Sequence, residues 1–500
     1  MSRPLRVLYY NWVDYLDAER RGGGVTLYQR NVMAALGLRA DVEAVFISAG
    51  TSYDLPARGP RWESVRHGPH SDRARRYELV NSGVLAPAHH SFGDPAQLSH
   101  EATREVFFDF VARTGPYDVI HFNNLEGLPA DVLEIAQRHP QTQVVLSLHN
   151  YYPICPQVNL WFGERESCED FEAGARCVRC LPFQHDGRLL RVANGLSYRL
   201  RCAGLEPGTT AYDLAFRWTL RLGGRAMRAL RWLRTRGKDA TQTPVLETDT
   251  AQMRAAGFAA RRAAMTALIN ANCDRVLCVS DAVGRLAERY GIDPALVVTS
   301  YIGTQAAEVF AQTAPAPHVP QDQTLTLGYL GYMRRDKGFY FLLDALEALP
   351  REMAARLRLV VAARAGDRAT MARLARLGTH LGQVIHHDGY THDQLEEILA
   401  PVDVGVVPVL WHDNLPQVAI EMHARHIPLL TSDMGGAQEL GRYAALTFVA
   451  GDTADFADRL AGLLEGRVDF DAYWQGAMSP VSMQAHITQL MDIYGADDAG

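Results

Sequence analysis

The chain has 500 residues, 47% hydrophobic and 21% charged, which is the composition of an ordinary soluble globular protein of two or more domains. Its net charge of -7 argues against nucleic acid as an obligate partner. No apolar run approaches the roughly 20 residues that span a bilayer, and MSRPLRVLYYNW lacks the apolar core of a signal peptide, so a cytoplasmic protein is expected.

The first predicted strand runs from Leu5 to Tyr10, and Gly22, Gly23 and Gly24 separate it from the helical pattern TLYQRNVMAALG. A glycine turn between strand and helix lets the backbone approach a phosphate or a sugar without side-chain obstruction, although an ordinary tight turn reads the same way. A second strand and helix follow in YDVIHFNNLEGLPADVLEIAQRH, which carries His121, and a third strand in QVVLSLHNYY, which carries His149. Short apolar strands alternating with helical patterns predict βαβ units and a parallel sheet.

Four of the 7 cysteines, Cys155, Cys168, Cys177 and Cys180, fall in the loop 151–182. A C-x-x-C pair with two upstream partners has the ligand number of a structural zinc site, and a reducing compartment favours metal over disulfides; four reduced thiols are the alternative. Residues 185–262 fit neither sheet and predict a helical insert. Within it Arg217, Arg221, Arg225 and Arg228 recur at helical spacing beside Trp218, Leu222, Leu230 and Leu233. That pattern suits either a solvated face or peripheral contact with an anionic membrane. RVLCVS, DAVGRLAERYG and VVTSYIG complete a first domain over 1–313, and the proline-rich 314–323 is the expected linker.

The strand and helix alternation restarts at 324 and continues to 480, which predicts a second doubly wound sheet, with a terminal helix over 481–500 packing back on the first domain. The loop GYMRRDKG, 331–338, joins a strand to a helix and offers Arg334, Arg335 and Lys337 to a diphosphate. Lysine occurs only at Lys238 and Lys337 in a chain with 50 basic residues, which makes Lys337 conspicuous. In DNLPQVAIE, residues 413–421, a helix is expected to begin near Leu415 and Pro416 with Asn414 as its N-cap. Asp413 would then lie at the mouth of the helix and Glu421 inside it, so that the two carboxylates grip separate parts of one ligand.

The glycine loop, the basic loop, the carboxylate pair and the following SDMGGAQE together resemble the retaining glycosyltransferases of family 4, most densely over 325–440. The resemblance implies the two-domain GT-B fold, two Rossmann-like domains facing a cleft. It also implies transfer of a sugar from a nucleotide-diphosphate sugar, UDP- or GDP-linked, to a sugar or lipid-linked glycan acceptor in bacterial surface polysaccharide synthesis. By the same match Glu421 meets the ribose hydroxyls, Asp413 and His149 lie by the transferred sugar, Lys337 meets the diphosphate with Arg335 or Arg334 supplying the charge of the missing arginine, and Gly23, Gly24 and Leu415 line the donor. No catalytic metal is expected, because positive charge and a helix dipole stabilise the leaving group. Two positions depart from the family pattern: Tyr332 stands where an arginine is usual, and Leu415-Pro416 where Phe-Gly is frequent. A nucleotide-sugar epimerase of similar architecture and a non-catalytic nucleotide-sugar or partner-binding member are the competing readings.

Overall fold

The computed structural model describes residues 3–495 apart from 20, 58, 182–185, 220–247 and 316–323. Ten strands belong to the first part of the chain: β1 (Leu5–Asn11), β2 (Val42–Ala49), β3 (Arg61–Ser64), β4 (Arg76–Val80), β5 (Val119–Phe122), β6 (Gln143–Leu148), β7 (Trp161–Phe162), β8 (Glu166–Ser167), β9 (Arg275–Cys278) and β10 (Val297–Thr299). Six follow: β11 (Leu325–Gly331), β12 (Leu357–Ala363), β13 (Gln383–Asp388), β14 (Val404–Val407), β15 (Leu429–Ser432) and β16 (Thr447–Phe448).

The first sheet has the order β10-β9-β6-β5-β1-β2-β4-β3, parallel throughout except for the edge strand β3. The second has the order β13-β12-β11-β14-β15-β16 and is wholly parallel. Helices cover both faces of such sheets, so their strands are apolar runs without alternation: β1 is buried from Val7 to Asn11, and β14 along its whole length. Chain direction across each sheet reverses beside its first strand, at β1 between β5 and β2, and at β11 between β12 and β14. Loops leaving the carboxyl ends of the strands at such reversals flank a crevice, the usual place for a ligand in open α/β sheets. The molecule thus has the expected GT-B architecture, two Rossmann-like parallel-sheet domains.

The loop after β6 forms the short hairpin β7/β8 and then a helix, Gly187–Cys202. A helix of 25 residues, Thr248–Asn272, returns the chain to β9. Its buried Arg261 donates to the Tyr152 carbonyl at 2.9 Å and Arg262 to the Ile154 carbonyl at 2.7 Å, tying the helix to the segment beyond His149. Of the expected basic face, Arg217 and Trp218 are exposed, and Arg221, Leu222, Arg225, Arg228, Leu230 and Leu233 lie outside the described residues, as do 316–323 of the linker segment. Among the described residues no helix is long and apolar enough to cross a membrane.

After the second sheet the chain crosses back. The helix Met483–Ile493 buries Ile487, Leu490 and Met491, and Tyr494 just beyond it, in one core with Val7, Tyr9, Val119 and Val145 of the first sheet. Polar groups reinforce this return: Tyr494 pairs with Tyr9 (3.0 Å between hydroxyls) and His121 (2.5 Å to Nδ1), and Gln143 donates to the Ile493 carbonyl.

Candidate functional site

The second domain supplies the loops after β11, β14 and β15. Gly338 closes the β11 loop at φ 71°, and a Cβ there would stand 1.6 Å from the Pro408 carbonyl oxygen, so backbone packs directly on backbone. That contact sets the loop against the end of β14. Lys337 Nζ lies 2.5 Å from Asp413 Oδ2 and 4.9 Å from the centre of the Trp411 ring. The neighbouring arginines point elsewhere: Arg334 is exposed and paired with Asp336 at 3.0 Å, and Arg335 is exposed over the ring of Tyr340. Of the three cations in this loop, Lys337 is the one joined to a candidate site carboxylate.

The helix after β14 starts later than its sequence suggests. It spans Gln417–His423 with Pro416 as N-cap, and Asn414 does not cap it; the Asn414 Oδ1 is buried without a hydrogen-bond partner. The cause is tertiary. Gly436 N–H donates to the Asp413 carbonyl at 3.0 Å, and Ser280 Oγ donates to the Asn414 carbonyl at 2.7 Å. Pinned from both sides, 413–416 run into the helix as a loop with Asp413, Asn414 and Leu415 buried. Gly435, at φ 71°, permits this approach, since a Cβ on it would stand 2.0 Å from the Asp413 carbonyl oxygen. Glu421 sits apart from Asp413, accepting from Arg425 at 3.2 Å and lying 3.1 Å from His392 Nδ1.

The first domain contributes the loops after β1, β5 and β6. Gly23, at φ 56°, opens the helix Gly23–Leu36. Gly24 faces the second domain, where a Cβ would lie 3.5 Å from the Gln417 side chain. From the same helix the Tyr28 ring packs 4.8 Å from that of His149, and the Tyr28 hydroxyl is 2.7 Å from His486 Nε2 on the terminal helix. His149 Nε2 is 3.3 Å from Asn123 Oδ1. Burial pushes the His149 imidazole down to about 3, helped by His486, so it is neutral near pH 7. Two residues on, the Tyr151 phenol is held far above its usual range by burial, with the charge of Asp413 adding to the shift. His121 lies within the first sheet instead, bonded to Tyr494 and Ser147 and pushed down to about 3 by burial.

The cysteine loop brings its four cysteines into the buried part of the first domain. Cys155, Cys168, Cys177 and Cys180 are all buried, and burial raises the thiols of Cys177 and Cys180 to about 12, with the neighbouring cysteines adding to the shift. Cys168 Sγ donates to the Asp170 carbonyl at 3.7 Å and Cys180 Sγ to Gln157 Oε1 at 3.6 Å. Among the described residues no three His, Cys, Asp or Glu side chains stand in an arrangement that could hold a metal ion. Of the four buried thiols, those of Cys168 and Cys180 thus meet backbone or amide acceptors. The same loop reaches the second domain, where Glu169 Oε1 lies 2.7 Å from His412 Nε2, next to Asp413.

Sequence reasoning left four contributors unassigned. Ser280 and Glu439 each bond across the domains, to the Asn414 carbonyl and the Ala282 amide, and Tyr28 and His486 pack behind His149. Glu439 closes the quoted SDMGGAQE; no local pattern marks His486, whose partner is 458 residues away.

Comparison with known proteins adds three findings. Residues 324–466 match the family model described as Glycosyl transferases group 1. A relative from Bacillus subtilis (strain 168), the putative teichuronic acid biosynthesis glycosyltransferase TuaC, is 31% identical over 124 residues, which are 24% of this chain and 28% of that relative. Among solved structures, the apo lipopolysaccharide outer core galactosyltransferase WaaB is 10% identical with a TM-score of 0.53, covering 98% of this chain and 99% of its own. Sucrose-phosphate synthase from Thermosynechococcus elongatus is 16% identical with a TM-score of 0.52, covering 99% of both chains. Anabaena HepE in complex with UDP is 13% identical with a TM-score of 0.50, covering 99% of this chain and 100% of its own. At these identities the structural likeness is one of fold.

Proposed function

We propose that this protein is a retaining glycosyltransferase of family 4 that transfers a sugar from a nucleotide-diphosphate sugar to a hydroxyl of a sugar or lipid-linked glycan acceptor. The observation that carries the reading is the Lys337–Asp413 pair, set where the second sheet reverses, inside the segment that matches the group 1 glycosyltransferase model, with Asp413 in a loop whose following helix faces Gly24 of the glycine loop through Gln417.

Glycosyl transfer needs stabilisation of a departing diphosphate and of positive charge at the anomeric carbon. Lys337 supplies the cation for the diphosphate, and Asp413 carries the opposite charge toward the sugar. The ligand must enter between them, so the ion pair loosens as the diphosphate takes its place. Glu421, accessible at the edge of the site, takes the ribose hydroxyls after giving up His392. Arg335, exposed and free to swing from Tyr340, adds charge at the outer phosphate, and Leu415, Gly23 and Gly24 shape the wall. His149, neutral and held by Tyr28 and Asn123, offers a hydrogen bond to the transferred sugar. UDP is the first nucleotide to test, since HepE was solved in complex with it.

The test is a thermal shift of the wild type and of Glu421→Ala with UDP, GDP, ADP and CMP, because a ligand of the folded state raises the melting temperature by linkage. One diphosphate should stabilise the wild type and lose most of that effect in the variant; transfer to a glycan acceptor should then give a product of unchanged anomeric configuration by NMR. No stabilisation by any nucleotide, or an inverted product, would sink the assignment. Metal analysis of the purified protein reads the cysteine loop: about one zinc per chain makes it a structural metal site, and none leaves it a cluster of thiols.

A further inference from the structure

The two domains are joined by a buried polar seam directly behind Asp413. Glu439, 8% exposed on the second domain, accepts from the backbone N–H groups of Asp281 (2.9 Å) and Ala282 (2.6 Å) at the start of the first-domain helix Asp281–Arg289, and from the Tyr301 hydroxyl (2.7 Å). These amides are two of the donors that a helix start leaves without an intrahelical partner, and they carry its partial positive charge. The Ser280 hydroxyl works in both directions: it accepts from Val283 N–H, capping its own helix, and donates to the Asn414 carbonyl at 2.7 Å. On the other side of the same carbonyls, a Cβ on Gly436 would stand 2.3 Å from the Asn414 oxygen and 2.8 Å from the Ser280 side chain. Ser280, the 413–414 backbone and Gly436 are therefore in mutual contact, with Glu439 one helical turn beyond.

We infer that Glu439 and Ser280 are positioning residues that make the placement of Asp413 conditional on domain closure. The backbone carbonyl of Asp413 takes a hydrogen bond from its own domain, through Gly436, and that of Asn414 takes one from the opposite domain, through Ser280. Opening the cleft removes the second and leaves the buried Asn414 carbonyl without its donor. Glu439 holds the seam shut by bonding the same helix start that carries Ser280. A carboxylate in this place acts as a clasp whose release loosens the site, so the geometry around Asp413 is assembled only in the closed molecule. The functional part of the inference rests on Asp413 being the sugar-facing carboxylate; the mechanical part does not.

The test is backbone hydrogen exchange on the full chain without nucleotide, comparing the wild type with Glu439→Ala and Glu439→Gln. In the alanine variant the Asp281 and Ala282 amides should exchange at least about tenfold faster, and segment 411–416, which Glu439 does not touch, should speed up with them. Glutamine, which keeps one carbonyl acceptor, should give intermediate rates in both segments together. Asp452→Ala, which removes the cap of the helix Thr453–Leu464, should accelerate only that helix. If the Glu439 variants accelerate 281–285 while 411–416 keeps its wild-type rate, Glu439 is only a helix cap and the inference fails. Should Glu439→Ala not fold, Tyr301→Phe removes one donor from the seam and gives the same comparison in milder form. A protein that binds no nucleotide would overturn the proposed activity yet leave this comparison intact.

Discussion

Lys337 and Asp413 hold each other in a place where each is only partly reachable by water: the Lys337 side chain is 27% exposed and that of Asp413 10%. Removing the cation by Lys337→Ala leaves a mostly buried carboxylate with less compensation. We expect a loss of about 2 kcal/mol in chemical denaturation, less than for a fully buried pair, together with loss of nucleotide binding. Lys337→Arg keeps the charge but not the compact ammonium, so it should recover stability better than binding. Histidines give a second prediction at this scale. Burial depresses His149 and His121 to about 3 and His486 to about 4, so the unfolded chain, where histidine titrates near 6.5, binds protons first as the pH falls. Stability is therefore complete above about pH 6.5 and falls as the pH drops toward the folded values, by about 1.4 kcal/mol per pH unit for each such histidine once below 6.5. Melting curves between pH 7 and 5 should show this fall, and His486→Gln should reduce its slope by the share of one group. An unchanged slope would mean that His486 is already accessible to protons in the fold.

At the scale of elements, the glycines of the second domain separate local strain from contact. Gly435 and Gly451 both sit at positive φ, 71° and 82°, but an added Cβ at Gly435 meets the Asp413 backbone while at Gly451 it meets nothing within 4 Å. Gly451→Ala should cost about 1 kcal/mol, the conformational penalty alone, and Gly435→Ala about 3 kcal/mol or more, because the Asp413 loop must also move. Equal costs would show that the loop yields easily. The same element marks where sequence reading stops. The strands were legible because both sheets are buried on two faces, so VLYYNW, VVLSL and VGVV appear as unbroken apolar runs, and the alternation with helices named the fold class. The helix start at 414–417 was not legible: Asn414 and Pro416 look like cap and first turn, but bonds from Gly436 and Ser280 override local preference. Nor did the cysteine spacing disclose the acceptors of Cys168 and Cys180, since those are Asp170 and Gln157 in the folded loop.

Among the described residues the two domains are joined by polar contacts that include the seam of Glu439 and Ser280 and the His412–Glu169 pair, and by the return of the terminal helix to the first sheet. The partners were all present in the sequence, but the separations of 157 residues for Ala282 and Glu439 and 243 for Glu169 and His412 carry no pattern from which pairing could be read. Ending the chain at residue 481 would expose Tyr9, His121 and the apolar face that Ile487, Leu490, Met491 and Tyr494 cover. At about 1.5–3 kcal/mol for each large buried side chain, that loss is comparable to the stability of a domain. We expect the truncated protein to lose exchange protection in β1, β5 and β6 while β11 to β15 keep theirs; equal loss in both sheets would show that the two domains unfold as one.

That return of the chain also orders events during synthesis. The second sheet is contiguous, with its strands and helices between residues 325 and 476, whereas the first sheet waits for a helix, Met483–Ile493, translated after the second sheet. Domains usually form in the order in which they leave the ribosome. Here the later-made half is the first to have all its parts, and the earlier half must keep the groove beside β1 open until Ile487, Leu490, Met491 and Tyr494 arrive to fill it.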